Sequence, residues 1–371
     1  MFMERFSSKS KELWRGMRRS KPLTSSNMDT PLKRCLTVFD LTLLGIGNMA
    51  GSGIYVLTGT VIRDKAGPST FLSYMIAGIT AFLNAICYSE LASRIPKAGS
   101  AYIYTYIASG EFLAFLIGWS VILEYVLSVA SVARGWSGIL DTMTNGTIKN
   151  GTIATFGRFP AHTEFFGEYP DFIGFLVVLF LGVVLSRGPK LSAHLNSAVT
   201  MCNLMVIVLT SGTMLSHVTQ TGSKFAPASK GGFFPHGFAG MIGGAGTCFY
   251  AFIGFDAITI SCEEALDPKR SIPIASAVSV GLVMTLFIIS SAALVLFVPW
   301  WEVDRTAAYT AAFTAKGITW ARYVTGIGSV LGLSASLFTS MYAMPRIVYS
   351  MAADGLLPSW LGYVMPSTQV R

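Results

Sequence analysis

Two glycine-rich runs lie inside apolar stretches of the chain and could expose backbone hydrogen-bonding groups. They read GIGNMAGSGIYVLTG over 45–59 and GMIGGAGTCFYAFIGFD over 240–256. A helix in lipid satisfies its own backbone groups, so an unwound segment persists only beside protein or a watery cavity. If both runs unwind, N–H groups at 51–53 can bind a carboxylate and carbonyls at 250–253 can bind an ammonium. The candidate groups belong to Gly51, Ser52, Gly53, Tyr250, Ala251 and Ile253. Together they would suit the headgroup of an α-amino acid.

Close helix packing is the alternative explanation for these glycines. Gly47 and Gly51 have the spacing of a small-residue helix interface. The occurrence of both runs at matched positions in two halves of the chain favours a transport site.

Two carboxylates, Glu111 and Glu124, lie in one apolar stretch, which is rare unless they face a cavity or a partner. Thirteen residues separate them, about 20 Å along a helix, so they mark two levels and not one acid–base pair. A carboxyl at the depth of Glu124 would suit a proton carrier or a cation contact, or else a neutral structural group. Glu111, nearer the helix end, suits transport chemistry or a structural contact with loop backbone.

No catalytic constellation is present in the sequence. The four histidines (His162, His194, His217 and His236) have no metal-ligand spacing, and no phosphate-binding loop or nucleophile motif occurs. We therefore predict that the chain is not an enzyme and needs no cofactor or metal.

The composition excludes a water-soluble globular protein. Of 371 residues, 52% are hydrophobic and 12% are charged, whereas a soluble domain carries about 25% charged residues. Nine of the 27 Lys and Arg residues lie within the first 34 positions. A basic segment before the first apolar stretch is typical of a cytoplasmic tail near anionic lipid. We expect membrane lipid as a partner and no nucleic acid.

Eight apolar stretches read as membrane spans, for which about 20 residues are typical. They cover 36–60, 69–92, 103–140, 171–186, 192–216, 238–261, 272–299 and 322–351. The third is long enough to be tilted or to begin as an interfacial stretch around Tyr102, Tyr104 and Tyr106, and the fourth is the shortest. The glycine-rich runs fall in spans one and six, which fits two inverted five-helix repeats.

These spans predict an all-α membrane protein in four segments. They are a basic cytoplasmic tail (1–35), a first repeat (36–216), an extracellular or lumenal loop (217–237) and a partial second repeat (238–371). The loop from about 141 to 170 then lies outside the cytoplasm. It contains two glycosylation triplets, at Asn145 and Asn150.

Several long segments resemble the cationic amino acid transporters of solute carrier family 7, within the amino acid–polyamine–organocation superfamily. They are GIGNMAGSGIYVLTG, CYSELASRIPKAGSAYIY, GEFLAFLIGW, FYAFIGFDAITISCEEALDPKRSIP and MPRIVYSMAADGLLP, which together extend from about Leu36 to the end of the chain. The resemblance implies the helical bundle first seen in the sodium–leucine symporter, with an amino acid as substrate.

The resemblance also implies roles for individual residues. Gly51–Gly53 match the carboxylate-binding motif of the first helix, and the carbonyl at Met49 would face the substrate amine. The turn of the sixth helix corresponds to Tyr250, Ala251, Phe252 and Ile253. Glu111 matches a glutamate needed for transport in cationic carriers, and Glu124 resembles a glutamate of proton-coupled bacterial relatives.

Two departures from the family pattern stand out. Ser197 occupies the position of a fifth-helix lysine that in many relatives bridges helices one and eight and takes part in proton coupling. Together with Glu124 and the SMAADGLLP segment, this resembles the type-4 and type-14 branch of the family. Relatives also continue into a ninth span, so we expect a fragment or truncated isoform with an incomplete second repeat.

The sequence thus favours a carrier of cationic amino acids such as arginine, lysine and ornithine, working by alternating access, with protons as a possible coupling ion. The alternatives are a carrier of neutral or γ-amino acids, and a transport-inactive, sensor or regulatory membrane protein. The plasma membrane is the expected location, and the lysosomal membrane is the second choice.

Overall fold

The computed structural model describes residues 19–20, 34–144, 146–158, 169–187, 189–221 and 228–363. Within these ranges the chain is helical, with a single isolated β-bridge between Leu36 and Ala265. Most of the predicted basic tail lies outside the described residues. The helices in chain order are α1 (Val38–Ser52), α2 (Thr58–Val61), α3 (Thr70–Arg94), α4 (Ala101–Ser109), α5 (Glu111–Met143), α6 (Thr147–Phe156), α7 (Phe172–Leu185), α8 (Pro189–Thr221), α9 (Gly237–Ala251), α10 (Asp256–Ile260), α11 (Pro268–Phe297), α12 (Ala308–Ala315) and α13 (Thr319–Ala353).

Six helical stretches in the described parts are long and apolar enough to cross a membrane. The first, Val38–Arg94, has 57 residues, roughly 85 Å of straight helix, against a hydrocarbon core about 30 Å thick. This stretch reverses direction at Gly67, whose φ is +60°. The reversal brings Tyr74 beside Gly53, and the Tyr74 hydroxyl donates a hydrogen bond to the Gly53 carbonyl at 3.1 Å. This stretch therefore supplies the predicted spans one and two.

Span one begins where its sequence predicts a helix start. Thr37 and Asp40 form a capping box, in which the Asp40 N–H donates to Thr37 Oγ1 and the Thr37 N–H donates to Asp40 Oδ2. Such caps contribute about 1 kcal/mol by satisfying N–H groups that have no partner within the helix.

The predicted third span is wrong at its start. Gly110, with φ +104°, separates the short helix α4 from α5, so residues 102–106 belong to a different helix from Glu124.

The predicted fourth span is α7, which has 14 residues and extends about 21 Å, less than the hydrocarbon core. The predicted outer loop also differs from expectation, since part of it forms α6.

Helix α1 lies at the centre of the bundle, packed against α8, α11 and α13. Small residues make this packing possible. An added Cβ at Gly45 would overlap Ile258, and one at Gly47 would lie 2.5 Å from Thr200 Oγ1. The two halves of span six, α9 and α10, pack against α3 and α1.

Candidate transport site

The glycine-rich run of span one does not unwind, contrary to expectation. Helix α1 continues through Ser52 directly into a π-helical turn, Gly53–Leu57, and then into α2. The Gly53 N–H donates to the Met49 carbonyl, as in an ordinary helix. A π-turn widens the helix without breaking it, so span one has a local distortion in place of a gap.

The side chain of Ser336, on α13, forms hydrogen bonds with the backbone of span one, including the Ser52 N–H, which was expected to be free. Its hydroxyl accepts the Ser52 N–H at 3.2 Å and lies 3.0 Å and 2.7 Å from the carbonyl oxygens of Gly47 and Asn48. In the same region Ser340 donates to Asn48 Oδ1 at 3.2 Å. The N–H groups of Ser52 and Gly53 are therefore engaged in this conformation.

Span six is broken, as expected from its sequence. Helix α9 ends at Ala251 and α10 begins at Asp256, with a four-residue turn between them. Gly254 in this turn has φ +129°, a conformation that disfavours residues with a Cβ. The Asn48 side chain packs against Gly254, where an added Cβ would be 2.5 Å from Asn48 Nδ2. The break therefore lies directly beside span one.

The four predicted residues of the span-six turn have different environments. Ala251 and Phe252 are fully buried, and the Phe252 ring packs on Phe287 with centroids 5.1 Å apart. Ile253 is half-buried and lines a cavity. Tyr250 is exposed. Of these four residues, Ile253 alone lines the cavity.

The cavity next to the break has a volume of about 220 Å³. It lies between α3, α4, α5 and the span-six turn, and it is lined by five polar residues, Asn84, Tyr88, Ser100, Glu124 and Asp256, and by Ala101, Val121, Phe249, Ile253 and Phe255. The predicted residues of span one, Met49 and 51–53, are not among its lining residues. The structure thus brings Glu124 together with the span-six turn and leaves the span-one glycines outside.

Two carboxylates, Glu124 and Asp256, share this cavity. The Tyr125 hydroxyl donates to Asp256 Oδ2 at 2.7 Å, while Asp256 Oδ1 is buried and has no hydrogen-bond partner. Two acidic groups facing one small space repel each other, and a cation or a proton placed between them relieves that repulsion. Asp256 was not among the residues predicted from the sequence. The sequence feature that could have indicated it is its position two residues after Gly254.

Three other predicted residues lie apart from the cavity. Glu111, the first residue of α5, accepts a hydrogen bond from the Tyr106 hydroxyl at 3.0 Å. The Ser197 hydroxyl on α8 is buried without a hydrogen-bond partner. Met49 is fully buried in α1.

The glycosylation candidates are only partly described. Asn145 lies outside the described residues, and Asn150 is exposed on α6. Glycosylation at either position stays a prediction.

Comparison with known proteins shows the family. Residues 36–369 match the model of the amino acid permease family. Cationic amino acid transporter 4 of Mus musculus is 43% identical, and that of Homo sapiens 42% identical, each over 354 residues. A relative from Arabidopsis thaliana, cationic amino acid transporter 2, vacuolar, is 37% identical over 361 residues.

These alignments cover 95–96% of this chain and 55–56% of each relative, so the chain spans about half the length of the curated relatives it matches. The relatives' names are those of transporters, in agreement with the prediction that the chain is not an enzyme. With its apolar helices, the chain is a multi-pass integral membrane protein. It belongs to the amino acid permease family.

Proposed function

We propose that this chain carries amino acids across a membrane and that cationic amino acids are its main substrates. The observation that carries the proposal is the pairing of Glu124 and Asp256 in one cavity beside the span-six break. A substrate with a positively charged side chain would neutralise part of this charge, whereas a neutral side chain would leave it uncompensated. The names of the relatives support the same substrate class.

Alternating access would centre on the two glycine-rich spans. The break at Gly254 lets the inner half of span six move separately from α9. For a substrate carboxylate to reach the backbone at 51–53, Ser336 must release the Ser52 N–H. Binding of the headgroup would then compete directly with a contact between α1 and α13.

A membrane protein that does not transport, such as a sensor, is the second candidate. Ser197 stands where many relatives carry the coupling lysine, and its hydroxyl has no hydrogen-bond partner. Carriers of neutral or γ-amino acids are variants of the first proposal. We propose the plasma membrane as the location, with the lysosomal membrane as the alternative.

The test is uptake into proteoliposomes of labelled arginine, leucine and γ-aminobutyrate, with and without a pH gradient. Saturable uptake of arginine in excess of the other two supports the proposal. Uptake of leucine or γ-aminobutyrate without uptake of arginine would show that the substrates are neutral or γ-amino acids and not cationic ones. Absence of uptake for all three would favour the sensor, and a pH-gradient dependence would identify protons as the coupling ion.

A further inference from the structure

A buried ion pair joins span six to span eight at the face of the bundle where span one begins. Arg346 of α13 binds Glu264, with Nε and Nη2 at 3.0 Å and 2.8 Å from Oε1. The Tyr342 hydroxyl donates to Glu264 Oε2 at 2.5 Å, and the Arg346 guanidinium lies 3.4 Å from the centre of the Tyr342 ring. The side chains of Glu264 and Arg346 are only 2% and 8% exposed. These three residues form the Glu264 cluster.

The backbone of Glu264 connects the same cluster to the start of span one. Its carbonyl accepts the N–H groups of Cys35 and Leu36 at 2.8 Å and 2.9 Å. The Leu36 carbonyl in turn accepts the Leu266 N–H at 3.1 Å. The segment that leads into α1 is therefore fixed to the end of the broken span.

The neighbouring residue, Glu263, adds a fourth segment. Its carboxylate accepts the Ala98 N–H at 2.8 Å. The Ala98 carbonyl accepts a hydrogen bond from Ser350 of α13. The loop before α4, the start of span one, the end of span six and the end of α13 are thus tied together around two adjacent glutamates.

This arrangement restricts the part of the molecule that is free to move. Glu264 ends the short inner half of span six, 256–264, which begins just after Gly254. That half cannot swing away from α13 without separating Glu264 from Arg346. A buried charge that loses its partner is strongly unfavourable, so the pair remains stable until both charges reach water together. Such an all-or-none contact suits a two-state switch.

We propose that the Glu264 cluster is a lock that keeps the face at the start of span one closed, and that this lock breaks when the site opens to that face. The role of the lock in transport rests on the proposed function, but its opening can be measured without transport.

Two native cysteines report on opening. Cys262 is fully buried in the 3₁₀ turn that carries Glu264, and Cys248 is fully buried in α9 on the other side of the break. With Cys35, Cys87 and Cys202 replaced by serine, a membrane-impermeant maleimide is applied in turn to each face of vesicles. The rate of labelling is measured separately at Cys248 and Cys262 by peptide mass spectrometry.

Arg346→Met leaves Glu264 buried without a cation, and it should raise Cys262 labelling by tenfold or more from the face at the start of span one. Tyr342→Phe removes one hydrogen bond and should give a smaller increase. Adding Glu264→Gln to Arg346→Met removes the lone charge and should lower the labelling again. The matched control is Arg94→Met, which breaks the exposed pair of Arg94 and Glu90 at 2.6 Å and should leave labelling unchanged.

Two outcomes would overturn the lock. One is an unchanged Cys262 rate in Arg346→Met. The other is an equal rise at Cys248 and Cys262, which would show general loosening of the fold. If the chain carries none of the three amino acids, the proposed function fails, whereas selective labelling of Cys262 would still support a lock.

Discussion

Spans one and six are both rich in glycine, yet only span six is broken. In span one the chain passes from α1 into a π-turn without leaving the helical region, and none of its glycines at 45–59 has positive φ. In span six, Gly254 has φ +129° and the helix stops for four residues. A glycine run in a membrane helix therefore indicates either a break or close packing, and the backbone dihedral distinguishes the two.

The glycines of span one are explained by their neighbours. An added Cβ at Gly51 would overlap the Gly332 carbonyl, and one at Gly53 would overlap the Phe287 ring. The packing alternative therefore accounts for these positions in the observed conformation. Binding of a substrate carboxylate at 51–53 would require a second conformation in which α1 and α13 separate and Ser336 releases the Ser52 N–H.

The largest expected effect is that of Gly51→Ala. Its methyl group would collide with backbone of α13, which cannot move as a side chain can, so we expect a loss of about 3 kcal/mol in unfolding free energy. The matched control is Gly246→Ala in α9, where an added Cβ meets nothing within 4 Å and helix propensity improves. Denaturant unfolding in detergent measures the unfolding free energy of both variants. Equal unfolding free energies for Gly51→Ala and Gly246→Ala would contradict the packing explanation.

Gly254→Ala should have the next largest effect. It places a Cβ at φ +129° and against Asn48, which should cost about 2 kcal/mol. In the background of Asn48→Ala the contacts with Asn48 Nδ2 and Cγ disappear, but the Asn48 Cβ at 2.9 Å and the backbone strain remain, so part of the loss should persist in the same unfolding assay. If Asn48→Ala restores full stability, Gly254 serves packing alone and the contrast between the two spans fails.

Ser336→Ala should cost about 1.5 kcal/mol, because the part-buried Ser52 N–H and the buried carbonyls of Gly47 and Asn48 lose their hydrogen bonds to the Ser336 hydroxyl. Ser120→Ala on the exposed face of α5 is the matched control, since its hydroxyl bonds only to Leu116 within its own helix. A cost equal to that of the control would show that α13 does not hold span one.

The smallest effect concerns the C-terminal end of span one, where Gly59 packs on the backbone of Asp304. Burial alone would raise the pKa of Asp304, but hydrogen bonds from Ala307 and Thr306 hold it below its ordinary value. The ionised Asp304 carboxylate therefore stabilises the folded protein above the ordinary aspartate pKa of about 3.9, and this stabilisation is lost as pH falls through the lowered pKa of Asp304. The stability difference between wild type and Asp304→Asn, up to about 1 kcal/mol near pH 7, should shrink on acidification. A difference independent of pH would contradict this explanation.

Most of the apolar helices and the break in span six could be predicted, because apolar length and glycine placement are local properties of the sequence. The division of the third stretch at Gly110 could not, since a single glycine is compatible with a continuous helix until its neighbours impose φ +104°. The engagement of Ser52 by Ser336 depends on residues 284 positions apart. Sequence spacing alone carries no information about such a contact.

Among the candidate site residues, Glu124 was expected to face a cavity or a partner because it lies deep in an apolar stretch, and it lines a cavity in the structure, while its role in transport stays a prediction. Asp256 was not among the predicted site residues, because an acidic residue at the start of a helix is already explained by helix capping. The Glu264 cluster was not predicted, because nothing in the local sequence of 263–270 indicates that Arg346 contacts Glu264. The roles of Gly51–Gly53 and Ser197 in binding stay predictions.

The most direct test of the proposed site is equilibrium binding of labelled arginine to the purified chain, with Glu124→Gln and Asp256→Asn compared with wild type. Each variant removes one of the two carboxylates that face the cavity, and we expect at least about tenfold weaker binding. Glu90→Gln changes an exposed carboxylate on α3 and should leave the affinity unchanged. Wild-type affinity in both cavity variants would contradict the assignment of this cavity to a cationic substrate.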